Sequence, residues 1–128
     1  MENRAQSLKK ILPKIEGNKE TDSPNEAFQN DVLRPILKFQ NEIIILYFEH
    51  FIVESKIEFQ KLKYSHKITQ VHDLFKTNIQ FKQFCLGLVV ACFTAADFDF
   101  YVRDKKELNK RIIAMLIERI CSQLESIK

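Results

Sequence analysis

His50 and Glu54 stand four positions apart, the spacing at which two side chains on one helix can share a metal ion. No third ligand accompanies them, so the plainer reading is a helix-surface or core-edge pair. His66 and His72 stand six apart and point to roughly opposite sides of a helix, which prevents joint chelation. Asp97, Asp99 and Asp104 have the oxygen chemistry for a hard cation, but Asp97 and Asp104 also fit helix starts. Gly-rich phosphate loops, nucleophile elbows, HExxH and CxxC motifs are missing. The sequence therefore assigns no catalytic residue, no metal ligand and no cofactor, and it leans away from an enzyme.

Amides make the harder case. Projected at about 100° per residue, the segment from Ser23 to Glu54 has an apolar arc of Phe28, Val32, Leu33, Ile36, Ile43, Ile44 and Tyr47. Gln29 and Gln40 fall near the middle of that arc, while Asn30, Asp31, Arg34, Lys38, Asn41 and Glu42 fall opposite it. On the last helix Asn109 shares an arc with Leu116, Ile120 and Ile127, and Arg119 lies at its edge. A buried amide without partners costs roughly 1–3 kcal/mol. One reading is an internal hydrogen-bond network that fixes helix register. The other is a small cavity in which Gln29, Gln40 and Asn109 orient a ligand, with Tyr47 or Tyr101 adding a hydroxyl.

The elements that position these groups are helices. Ser23 as N-cap, Pro24 at the first position and Glu26 at N3 start a long helix, which Pro35 should kink rather than end. Residues 55–64 are ambiguous. Ser65 and Asn78 can cap the next two helices, and the second of these is apolar all round from Phe84, as a central element would be. Gly87 within it would let a neighbouring helix or, less commonly, a ligand come close to the backbone. Thr94 with Asp97, and Asp104 with Glu107, start the last two. Residues 1–22 read as an irregular leader, broken by Pro13 and Gly17–Asn18 and pinned by Leu8, Ile11, Leu12 and Ile15. The expectation is all-α: a single-domain bundle of about five helices over 23–128, with a long Pro-kinked first helix.

Composition agrees. Only two glycines and three prolines punctuate 128 residues, too few for a sheet-rich fold of this length. Cys85 and Cys92 would lie about 10 Å apart on one helix, too far to bridge, and with Cys121 they read as small hydrophobes of a reducing compartment. The first fifteen residues lack a signal-peptide core, and the longest apolar run, Phe84 to Phe93, is too short for a bilayer. A cytoplasmic location without membrane attachment is expected. Lys56, Lys61, Lys63, Lys67, Lys76 and Lys82 form a basic stretch, but without arginine or a recognition motif it reads as a solvated face, which disfavours nucleic acid.

The blocks Phe28-Gln29-Asn30, Leu33 to Lys38 and Gln40-Asn41 resemble a group of small uncharacterised all-α bacterial proteins with an FQNxxLRPILKxQN core. Phe93-Thr94, Tyr101 and Leu108 to Arg111 extend the likeness, which spans most of residues 8–127. Members of that group are often called glyoxalases. Glyoxalase I-type enzymes use βαβββ modules with His and Glu ligands on strands, whereas this chain has three scattered histidines and no strand pattern. The expected role is a non-catalytic module that binds a protein or forms a homodimer through Phe39, Phe48, Phe98 or Phe100. The alternative is a small-molecule binder, or an unrecognised enzyme, built on the amide-lined core.

Overall fold

Short polar side chains set most of the helix starts, because each can accept a hydrogen bond from an otherwise unpaired first-turn N–H. A computed structural model describes residues 2–17 and 20–127; Asn18 of the expected Gly17–Asn18 break lies outside them, as do Met1, Lys19 and Lys128. Helix α1, Arg4–Ile11, begins with an Asn3/Gln6 capping box. The leader is thus partly helical rather than irregular throughout. Ser23 accepts from the Glu26 N–H and starts α2, Pro24–Phe28, which runs through a π-helical turn, Gln29–Leu33, into α3, Arg34–Glu54. Only half of the expected box forms there, since the Glu26 carboxylate accepts from the Thr21 hydroxyl instead.

Helix α4, Tyr64–Thr77, starts without a side-chain cap, and Ser65 lies inside it. Asn78 caps α5, Ile79–Val90, and a full Thr94/Asp97 box opens α6, Ala95–Arg103. Asp104 precedes α7, Lys105–Cys121, but its carboxylate accepts from the Asn25 amide at 3.0 Å rather than capping α7. That bond ties the start of the first rod to the α6–α7 corner. Counting α2, the π turn and α3 as one rod, the described residues form six rods, five of them from residue 23 onward, and contain no strand.

The ambiguous stretch after α3 is a helix stop. Ile57 N–H donates to the Ile52 carbonyl and Lys56 N–H to the Val53 carbonyl, both at 3.1 Å, with Lys56 left-handed at φ 57°. These are the paired bonds of a Schellman ending, in which a left-handed residue satisfies the last carbonyls. Phe59, in a 3-10 turn at Phe59–Lys61, then drops into the core against Phe48.

Helix α7 packs against the π turn, α3, α4, α5 and α6, and so takes the central place expected of α5. Leu108, Ile112, Leu116 and Ile120 are fully buried along it. Each such side chain contributes about 1.5–3 kcal/mol through burial. Facing them are Leu33, Ile36, Leu37, Ile44 and Phe48 of the first rod, and Phe81, Cys85 and Val89 of α5. Phe84 and Gly87 of α5 face outward, and no helix crowds Gly87. The Phe-rich composition becomes an aromatic cluster in which Phe81 meets Tyr47, Phe48, Phe51 and Phe75. No described helix is long and apolar enough to cross a membrane.

Candidate functional site

The amides singled out by helical projection each find a separate partner. Gln29 accepts from Arg111 Nη1 at 3.0 Å. Gln40 donates to the Leu88 carbonyl on α5 at 2.8 Å. Asn109 accepts from the Tyr101 hydroxyl at 2.5 Å. Burial raises the Tyr101 pKa, and the bond to Asn109 works in the opposite direction. Tyr101 and Asn109 do line one groove of about 270 Å³, together with Leu86, Gly87 and Phe98. Tyr47 lies elsewhere, stacked on Phe84 with centroids 3.9 Å apart. Among the described residues no amide or charged side chain is fully buried, so these groups sit on the flanks of the core rather than in its centre.

Asn41, projected towards solvent, makes the most extensive amide contacts. Its Nδ2 donates to Gln123 Oε1 at 2.9 Å and its Oδ1 accepts from Gln123 Nε2 at 2.7 Å. Arg119 Nη1 also donates to that Oδ1, at 3.3 Å. This reciprocal amide pair clips α3 to the end of α7. The signal for it was the Asn41–Arg119–Gln123 set, visible only once the buried face of α3 is known.

That face is turned relative to the expected one. Phe48, expected at an arc edge, is fully buried, while Ile43, expected inside, is exposed. Phe100 is only half-exposed and stacks on Phe28 at 4.8 Å. What remains outward on α3 is a seam of Phe39 (44% exposed), Ile43 (44%), Leu46 (52%) and Val53 (72%). His50 completes it, exposed and paired with Glu54 at 2.8 Å. Phe84 and the half-buried Tyr47 and Leu88 extend this surface onto α5.

The remaining candidates are occupied by ordinary structure. Asp97 accepts from the Thr94 N–H and Asp99 pairs with Arg103 at 2.6 Å. No group of three or more His, Cys, Asp or Glu side chains among the described residues is arranged to hold a metal. The basic stretch is mostly solvated, with Lys61 beside Glu58 and Lys67 over the Phe59 ring. All three cysteines are free thiols. No protein-family model, curated protein or solved structure matches this chain.

Proposed function

We propose that the protein is a non-catalytic interaction module whose α3 seam binds an amphipathic helix of a partner protein, one with an apolar stripe flanked by lysine or arginine. The observation that carries this reading is spacing. Phe39, Ile43, Leu46, His50 and Val53 follow one another at intervals of four, three, four and three, the repeat by which one helix packs lengthwise on another. All five are exposed, so the seam is not spent on the protein's own core. Exposed apolar surface of this regularity marks interaction sites.

The flanks select the partner. Glu42 and Glu49 border one side of the seam and Glu54 the other. A second copy docked antiparallel about Leu46 would set Glu42 near its partner's Glu49. A parallel copy would set Glu49 near its partner's Glu54. Like charges at these flanking positions oppose both pairings, whereas basic flanks satisfy them.

A synthetic helix with Leu at heptad positions a and d and Lys at e and g, labelled for fluorescence anisotropy, provides the test. Saturable binding is expected, and Leu46→Glu should weaken it at least tenfold, with a scrambled-repeat peptide failing to bind. Binding that ignores Leu46→Glu would overturn the reading, as would no binding at all. A concentration-dependent dimer in sedimentation, lost in Leu46→Glu, would overturn it in favour of a second copy as occupant.

A further inference from the structure

Away from the seam, the π turn and α7 enclose a polar groove of about 440 Å³. Two arginines from different helices, Arg34 at the start of α3 and Arg119 of α7, line it. Gln29 and Asn30 of the π turn line it beside them, and Leu37 with Met115 forms an apolar portion. Both arginines are half-buried. Such a volume is in the range of small-molecule sites, which combine apolar lining with a few placed polar groups.

Burial lowers the Arg119 pKa, Arg34 lowers it further by repulsion, and Glu118 opposes the shift. Among the described residues that line the groove, Arg34 and Arg119 are cations and Glu118 is an anion. Arg119 is held by the neutral oxygen of Asn41, which fixes its position without neutralising it. Arg111 holds Gln29 by its oxygen, and its own buried Nε has no hydrogen-bond partner, although the Glu107 carboxylate lies 3.7 Å away. A glutamine whose oxygen is engaged by a guanidinium offers N–H donors, the polarity an anion requires. π turns recur where a helix has been adapted to present side chains at a site.

We infer that this groove binds the oxyanion group, carboxylate or phosphate, of a small organic molecule, with Arg34 and Arg119 on the anion and Leu37 and Met115 against its apolar part. Planar guanidinium forks suit both oxyanions, and each charge-assisted bond is strong enough for its loss to be measurable. This site lies on a different face of α3 from the helix-docking seam and stands or falls independently of it.

The test uses the whole protein with inorganic phosphate and with succinate as probes, followed by amide chemical-shift titration against sodium chloride at equal ionic strength. Saturable shifts are expected in residues 29–34 and 115–122; the anion that produces them, or the tighter of the two, identifies the preferred oxyanion. Arg34→Gln and Arg119→Gln should each weaken binding about tenfold or more while circular dichroism stays unchanged. Because Arg119 also anchors Asn41, Glu118→Gln provides a second variant at an exposed position; removing that carboxylate should tighten binding about threefold or more. No saturable response to either anion overturns the inference. So does an affinity that both Arg34→Gln and Glu118→Gln leave unchanged.

Discussion

Cys85 shows how far a single residue's chemistry is decided by where it is packed. Its side chain is fully buried beside Tyr47 and the α7 stripe, and burial pushes the thiol from an ordinary value of 9.0 up to about 12. A thiol held protonated is a poor nucleophile, so Cys85 acts as a small apolar side chain. Iodoacetamide at pH 8 should therefore modify half-buried Cys121 first and leave Cys85 unmodified until the protein unfolds, which peptide mass mapping will read. Stability should follow. The unfolded chain loses this proton near pH 9, whereas the native state holds it to about 12. The contribution is fully present below pH 9 and is lost progressively as pH rises through that window. Burial raises Tyr47 and Tyr101 in the same direction and steepens the loss. Urea midpoints at pH 7, 9 and 10 should fall, and fall less in Cys85→Ala. An equal fall in both would assign the loss to the tyrosines and to Cys92 and Cys121, whose thiols burial also raises.

Among the elements, the π turn explains most of what is unusual in the first rod. Pro35 has no N–H to give to the Asp31 carbonyl, and in a regular α-helix its ring would crowd that oxygen. The wider turn, closed by Arg34 N–H to the Gln29 carbonyl, winds in one extra residue ahead of it. Phe28 consequently takes the angular place that regular geometry gives residue 29. That brings Phe28 into the core with Leu33, Ile36 and Leu37, and moves Gln29 to the flank beside Arg111. Deleting exposed Asp31 should convert the turn to regular helix while keeping Phe28 in phase. Its stability should fall by about 3 kcal/mol by urea denaturation, the cost of a proline inside a regular helix, and adding Pro35→Ala to the deletion should recover most of it. Deleting Glu49 from the regular part of α3 rotates Ile52 out of the core and should cost several kcal/mol. A loss that Pro35→Ala does not recover would show that the turn is held by packing that only the extra residue permits. The same geometry shows why the sequence was legible in part. Ser23, Asn78 and Thr94 act locally and could be read from their neighbours alone. Gln29 could not, because its direction depends on a helical period that changes at Pro35. Nor could the inner face of α3, because Ile43, Ile44, Ile45 and Leu46 are apolar almost all round. Hydrophobicity alone could not decide between Ile43 and Phe48; contact with α5 and α7 did.

At the scale of the whole molecule, several polar ties join segments far apart in the chain. Asn25 to Asp104 and Asn41 to Gln123 hold the first rod to the last two helices. A third tie holds α1. Arg4 Nε donates to the Phe93 carbonyl at 2.7 Å, and the same guanidinium donates to the Ala91 carbonyl. These oxygens follow the end of α5, where carbonyls lack helical partners and the helix dipole favours a cation. Helix α1 has eight residues, too few to be stable alone, and buries only Leu8. Its attachment therefore depends heavily on Arg4. Arg4→Ala should cost about 1–3 kcal/mol of docking free energy. Amides of residues 7–12 should then exchange with solvent at nearly unprotected rates, while those of α3, α5 and α7 keep the protection set by global unfolding. Arg4→Lys should restore part of that protection, because the charge returns without the two-pronged geometry. Unchanged protection in α1 on Arg4→Ala would mean that Leu8 and Leu12 hold the leader by apolar contact alone.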